Sequence, residues 1–160
     1  MTNQRLLRAK RTLKLWLVVL VMGVVVIASP EPRPVNSSVE QEKRVREFVE
    51  AFNARDIDAM LGLADENVQW LSVDGAKVSV HTEGKAALRE SMARYFRNCP
   101  SCKSSLEWVK SAGSRVTAME RASWSVMSRA KLQRSLSVYE FRDGKILRVY
   151  YFPADADTVP

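Results

Sequence analysis

The spacing of apolar residues in two stretches of the chain predicts helices. In residues 44–63 they recur every three or four positions and so form one stripe along a helix. The stripe is interrupted at 53–56, and Asp56 stands where its carboxylate can cap a second, shorter helix. The same spacing returns in residues 85–97, and Pro100 ends this third helix. Each apolar stripe needs a second surface to cover it.

Elsewhere the apolar residues alternate with polar ones, which is the pattern of half-buried strands. Such segments are residues 68–73, 77–81, 106–109, 116–127, 133–142 and 146–152. Asp-Gly pairs between the first two segments and between the last two favour tight hairpin turns. Three helices and about six strands in this order predict an α+β fold, in which the helices pack on one face of a strongly curved antiparallel sheet.

The start of the chain differs from the rest. Residues 1–28 contain five basic residues and no acidic one, and end in the uncharged apolar run 15–28. A run of this length is typical of a signal peptide, and a retained membrane anchor is the alternative that stays open. Both predict an exported protein, periplasmic or extracellular. Residues 29–38 contain three prolines and predict a linker, which precedes a domain at 39–153 and a tail at 154–160.

The charge distribution argues against one class of partner. The formal net charge is +7, but without the five basic residues of the leader the chain has 20 basic and 18 acidic residues, a net +2. The remaining basic residues, which include Arg129, Lys131 and Arg134, are not interleaved with aromatic residues as they are in surfaces that bind a phosphate backbone. We therefore expect no nucleic-acid partner, and contact with a membrane only through the N-terminal segment.

Three runs of the sequence carry a family resemblance. The chain resembles the nuclear transport factor 2-like superfamily, in its SnoaL-like and ketosteroid-isomerase-like branch, through FVEAFNARDIDAMLGLADENVQW (48–70), EGKAALRESMARYF (83–96) and YEFRDGKILRVYYF (139–152). The resemblance covers essentially all of residues 39–153. It implies a cone-shaped fold with a pocket between the first helices and the concave sheet. It implies no particular reaction, because this fold carries many functions.

The same resemblance makes ketosteroid isomerase activity unexpected. Phe48 stands at the position of the tyrosine donor of those enzymes. The catalytic base aligns with Leu71 or Ser72, and neither can accept a proton at neutral pH. The second acid aligns with Ser137 or Val138, which is no acid either. Whether the domain is an enzyme of another kind stays open.

His81 and Glu120 are the candidate catalytic residues, and either would make the domain a lyase- or isomerase-like enzyme. His81 is the single histidine, placed by the resemblance on a strand before the third helix; a surface or structural histidine is the alternative. Glu120 shares one side of its strand with apolar residues only. If that side faces inward, the carboxylate needs a partner such as an arginine or must take its neutral form. A bulge that turns it outward is the alternative.

Cys99 and Cys102 form a Cys-x-x-Cys motif without a thioredoxin-like pattern around it. In an exported protein, a local disulfide between them is the favoured interpretation. Two thiolates and one distant histidine do not complete a zinc shell, so we expect no metal site. The sequence has no glycine-rich phosphate loop, and we expect no cofactor.

By the resemblance, the inward-facing residues line an apolar cavity. The candidate lining residues are Phe48, Phe52, Trp70, Ser72, Met92, Trp124, Ser137 and Tyr139. The leading hypothesis is a domain that binds a small apolar or amphipathic molecule in this cavity. The alternatives are the enzyme described above and a membrane-anchored assembly module of the cell envelope. A homodimer formed through the sheet is also left open.

Overall fold

The computed structural model describes residues 38–152, which fold into three helices and six strands. In chain order the elements are α1 (Ser38–Ala54), α2 (Ile57–Leu63), β1 (Ala64–Asp74), β2 (Lys77–Glu83), α3 (Gly84–Asn98), β3 (Lys103–Ala112), β4 (Arg115–Val126), β5 (Arg129–Arg142) and β6 (Lys145–Phe152). Every predicted helix and strand is present, and β1, β3 and β5 are four to six residues longer than predicted. The predicted leader, nearly all of the linker, and the tail lie outside the described residues. Within residues 38–152, no helix is both long and apolar enough to span a membrane.

The six strands form one sheet in the order β2-β1-β6-β5-β4-β3. Neighbouring strands are antiparallel except β1 and β6, which run parallel with Trp70 opposite Val149. The antiparallel prediction is therefore wrong for this pair of the described sheet. Between β1 and β6 the chain forms β2, α3, β3, β4 and β5. β6 then returns to the centre of the sheet and lies parallel to β1. The predicted fold class is confirmed as α+β, with the helices against a curved, mostly antiparallel sheet.

The break between α1 and α2 lies where the sequence predicts it. Arg55 adopts a left-handed backbone, with a φ of 64°, and this conformation ends α1. The Asp56 carboxylate then accepts a hydrogen bond of 2.9 Å from the backbone N–H of Ala59 and caps α2. The turn allows both helices to bury their apolar faces, which include Val45 in α1 and Met60 in α2.

The hydrophobic core lies between the helices and the concave face of the sheet. Its buried side chains include Val45, Phe48, Met60, Leu61, Val68, Leu88, Met92, Val109, Val116, Tyr139, Phe141, Ile146 and Val149. Phe48 of α1 and Tyr139 of β5 meet edge to face, with ring centroids 6.2 Å apart. Such an aromatic pair stabilises the packing beyond the area that it buries. The contact holds α1 over the middle of the sheet, where the core gives way to a cavity.

Candidate functional site

A cavity of about 580 Å³ opens between α1, α3 and the concave face of the sheet. Its walls are rich in aromatic side chains, which are Phe48, Phe52, Trp70, Tyr95, Trp124, Tyr139 and Tyr151. Phe52 packs on Tyr95 of α3 with ring centroids 5.8 Å apart, so α1 and α3 share one aromatic wall. A volume of this size, mostly apolar and with few polar groups, is typical of small-molecule sites.

Strands β4 and β5 form part of the floor of the cavity. In the register of β4 and β5, Ala118 lies opposite Ser137 and Ala122 lies opposite Gln133. Ala118 and Ser137 are fully buried and do not line the cavity, whereas Ala122 and Gln133 do. Glu120 lies between these pairs and is the largest polar side chain of β4 that faces the cavity.

Glu120 is only 9% exposed and is held by hydroxyl groups. Its Oε1 accepts hydrogen bonds from Ser137 Oγ and from the Tyr139 hydroxyl, both of 2.6 Å. Its Oε2 accepts one of 3.1 Å from Ser104 Oγ. Within residues 38–152, no lysine or arginine forms an ion pair with this carboxylate. Hydroxyl donors satisfy the oxygens but supply no opposite charge.

The tyrosines beside Glu120 stay protonated. Burial raises the pKa of Tyr139 well above its ordinary value, and the charge of Glu120 and the hydrogen bond to it raise this pKa further. Burial also raises the pKa of Tyr151; a hydrogen bond with Ser135 acts in the opposite direction, and the charge of Glu120 adds to the rise. The floor of the cavity therefore presents one carboxylate among neutral hydroxyl groups.

Asn53 fixes the position of Ser104. The side-chain amide of Asn53 donates to the Ser104 carbonyl at 2.7 Å and accepts from the Ser104 N–H at 2.9 Å, as a neighbouring strand would. The ammonium group of Lys103 donates to the Asn53 carbonyl at 2.6 Å. The end of α1 thereby holds the first residues of β3, and with them the Ser104 hydroxyl that reaches Glu120.

His81 lies on β2 at the mouth of the cavity and is exposed. Its Nε2 is 2.8 Å from Ser72 Oγ on the neighbouring strand β1. In the described part of the chain, no carboxylate forms a hydrogen bond or ion pair with this ring. Acid–base catalysis by a histidine usually relies on such an orienting group, so the structure gives His81 less support than Glu120.

Cys99 and Cys102 form a disulfide, with Cα atoms 5.4 Å apart, and both line the cavity. Arg55 holds the loop that they close. Its guanidinium donates to the carbonyls of Pro100 at 3.0 Å and Cys102 at 2.6 Å, and lies 4.5 Å from the ring centre of Phe96. Hydrogen bonds and a cation–π contact from one planar group make this a rigid part of the cavity wall.

Six of the eight predicted lining residues line the cavity, namely Phe48, Phe52, Trp70, Met92, Trp124 and Tyr139. The other two lie behind residues that do. Ser72 bonds to His81, and the fully buried Ser137 bonds to Glu120. Their hydroxyl groups therefore orient a lining residue and do not face a ligand. In residues 38–152, no three His, Cys, Asp or Glu side chains are grouped to hold a metal ion.

Ser104, Tyr95 and Tyr151 line the cavity but were not predicted as site residues from the sequence. The place of Tyr151 in the site follows only from the register of β5 and β6, in which Tyr151 lies opposite Ser137. Ser104 lies at the start of β3, before any alternating pattern begins, and carries no signal in the sequence. Its role depends on the contact with Asn53, which is distant in the chain.

The fold and the cavity together define a class of protein, the α+β cone domains with a ligand-sized space beneath their helices. The SnoaL-like domain family matches residues 45–149, and this chain belongs to that family. The family resemblance noted in the sequence is therefore confirmed. A comparison with curated protein sequences finds no match.

Solved structures share the fold at low sequence identity. Bal32a, from a soil-derived mobile gene cassette, is 24% identical with a TM-score of 0.62, over 71% of this chain and 88% of that one. TerC, co-crystallised with polyporic acid, is 16% identical with a TM-score of 0.60, over 71% and 91%. An LEH-like epoxide hydrolase of M. tuberculosis is 14% identical with a TM-score of 0.59, over 72% and 84%. At such identities the likeness establishes the fold alone.

Proposed function

We propose that this domain binds a small apolar or amphipathic molecule in the cavity between α1, α3 and the sheet. The observation that carries the proposal is the cavity of about 580 Å³, with its aromatic walls and the hydroxyl-bonded Glu120 at its floor. Burial of apolar surface supplies about 25 cal/mol per Å², so the walls alone can drive binding. The co-crystal of TerC with polyporic acid supports the use of this fold for small molecules.

Catalysis is the second candidate, because the carboxylate of Glu120 lies in a cavity that a substrate can enter. A lyase- or isomerase-like reaction through Glu120 or His81 would need this access. Ketosteroid isomerisation is not proposed, since the buried Phe48 cannot donate a hydrogen bond where a tyrosine would. The third candidate, an assembly module of the cell envelope, would be expected to have a filled cavity. It has less support because the space beneath the helices is open.

Action outside the cytoplasm is part of the proposal. The apolar run 15–28 suits a signal peptide or an anchor, and the Cys99–Cys102 disulfide is typical of proteins in an oxidising compartment. The mass of the protein recovered from its own cells distinguishes the two forms. A chain that begins near Ser29 has a cleaved leader, and an intact chain in the membrane fraction has an anchor. An intact soluble chain in the cytoplasm would refute both.

The binding proposal can be tested with a neutral fluorescent probe, N-phenyl-1-naphthylamine, titrated into the full-length protein. We expect saturable fluorescence enhancement that Ala122→Phe removes, because Ala122 lines the cavity and a phenyl ring there fills it. Ala130→Phe is the matched control, since Ala130 is exposed on β5, outside the lining. Enhancement that survives in Ala122→Phe, in a protein with an unchanged circular dichroism spectrum, would place the probe elsewhere and refute the proposed site.

A further inference from the structure

The carboxyl group of Glu120 has no ion-pair partner among residues 38–152. Its two oxygens offer about four acceptor positions. Oε1 uses two of them for Ser137 and Tyr139, and Oε2 uses one for Ser104. Oε2 therefore has room for one more donor. An ammonium group at this position would form a charge-assisted hydrogen bond, which is stronger than the bonds that the neutral hydroxyl groups provide.

The cationic side chains near the cavity are engaged elsewhere. Lys103 lines the cavity, but its ammonium group donates to the Asn53 carbonyl at 2.6 Å. Arg121 follows Glu120 in the chain and faces the opposite side of the sheet, where both it and Arg134 pair with Glu107. His81 bonds to a serine at the mouth. Within the described part of the chain, no lysine, arginine or histidine forms an ion pair with Glu120.

The walls around this carboxylate favour a cation over a neutral group. The face of an aromatic ring attracts an ammonium ion, and tryptophan attracts it most strongly. Phe48 lies beside Trp70 with ring centroids 6.2 Å apart, and meets Tyr139 at the same distance. Trp124 lines the same cavity from β4, the strand that carries Glu120. Aromatic faces and one buried carboxylate are together the features that recognise an organic ammonium group.

We infer that the natural ligand is a hydrophobic amine, whose ammonium group donates to Glu120 Oε2 while its apolar part contacts the aromatic walls. This inference rests on the proposed function and narrows it to one ligand class. It agrees with the three hydrogen bonds that Glu120 already accepts, which leave one acceptor position of Oε2 open to the ammonium group. An anionic ligand would instead meet the charge of Glu120 at close range.

The test compares three probes that differ only at one end: 4-phenylbutylamine, 4-phenylbutan-1-ol and 4-phenylbutanoate. We expect calorimetric titration of the full-length protein at neutral pH to show the amine binding about tenfold or more tightly than the alcohol, as a charge-assisted hydrogen bond provides. The carboxylate should bind weakest. Glu120→Gln should bring amine and alcohol close to equal affinity, since a glutamine keeps the oxygen that Ser137 and Tyr139 bond.

The outcomes separate the two proposals. An alcohol that binds as tightly as the amine, or a carboxylate that binds tightest, would overturn the inference and leave the cavity as a ligand site. An amine preference that persists in Glu120→Gln would also overturn it. Failure of all three probes to bind would refute the proposed function, and the inference with it. The comparison of probes on the unaltered protein stands even if Glu120→Gln does not fold.

Discussion

The hydroxyl of Tyr139 donates a 2.6 Å hydrogen bond to Oε1 of Glu120, and both side chains are buried. The two residues come from adjacent strands, β5 and β4. A hydrogen bond to a charged group in such surroundings is worth more than one at the surface. This hydrogen bond therefore joins β4 and β5 at the floor of the cavity and also orients the carboxyl group of Glu120.

Loss of this hydrogen bond should reduce stability measurably. We expect Tyr139→Phe to lower the free energy of unfolding by about 1.5–3 kcal/mol, the range for a hydrogen bond to a charged group. Urea denaturation measures the change. Tyr150→Phe is the matched control, because its hydroxyl donates at 3.3 Å to the half-buried Glu140, which Arg148 also contacts. We expect a loss of about 0.5–1 kcal/mol there. Equal losses in the two variants would contradict a special role for the Tyr139 contact.

Alkaline pH should destabilise the domain through the same residue. Because burial raises the pKa of Tyr139 in the folded protein, the folded state holds this proton more tightly than the unfolded state. The contribution to stability is complete below the ordinary tyrosine pKa of about 10, and decreases as pH rises from there toward the higher folded pKa. Unfolding free energies at pH 8, 10 and 11 should fall less steeply for Tyr139→Phe. A slope identical to that of the unaltered protein would show that Tyr139 ionises freely in the fold.

Arg55 should stabilise the domain more than the disulfide does. A four-residue loop restricts the unfolded chain little, and the chain-entropy relation gives about 2 kcal/mol for it. Arg55 donates to several carbonyls of the loop and lies on Phe96. We expect Arg55→Met to cost about 3–4 kcal/mol, because those carbonyls lose their charged partner. Cys99→Ser with Cys102→Ser serves as the comparison in urea denaturation, and a larger loss for the double variant would reverse the ranking.

At acidic pH the sensitive contact is between Asp65 and Arg142. The guanidinium of Arg142 bonds both carboxylate oxygens of Asp65 and lowers the pKa of that carboxyl in the folded protein. Its stabilising effect is therefore present above the ordinary Asp pKa and is lost as pH falls through the lower, folded value. We expect Arg142→Gln to lower the melting temperature slightly at pH 7 and to leave it unchanged near pH 2. An undiminished difference at pH 2 would mean that Arg142 acts through other contacts.

The local elements could be predicted from the sequence because each depends on near neighbours. The break at Arg55, the cap at Asp56 and the Asp143-Gly144 turn are all set by side chains within a few residues. The parallel pairing of β1 with β6 could not be predicted, since it joins strands that are far apart in the chain and carries no turn signal. Fold class came from the element order, and strand order came only from the structure.

The site was predictable in its apolar part and not in its polar part. Alternation along β4 places Glu120 on the same side of the strand as Ala118. The other residues on that side are mostly apolar, which indicates that this side faces the core. Its partners come from β3 and β5, so they depend on the register between strands. A bulge between Leu106 and Trp108 changes which residues of β3 face inward, and it brings Ser104 to Glu120. The sequence left open an arginine partner, a neutral carboxyl group or an outward-facing Glu120, because hydroxyl groups on neighbouring strands cannot be assigned to it before the register is known.

The central position of β6 has a consequence for synthesis of the protein. β6 follows every other described strand in the chain, yet it lies between β1 and β5 and pairs with both. Until it has left the ribosome, the β1–β2 pair and the β3–β4–β5 strands form two separate parts of the sheet, and the edges of β1 and β5 that face each other have no partner strand. Translation that stops before Lys145 therefore yields a chain with two open edges, which is prone to aggregate. The nascent domain can complete its sheet only after its final strand has been released.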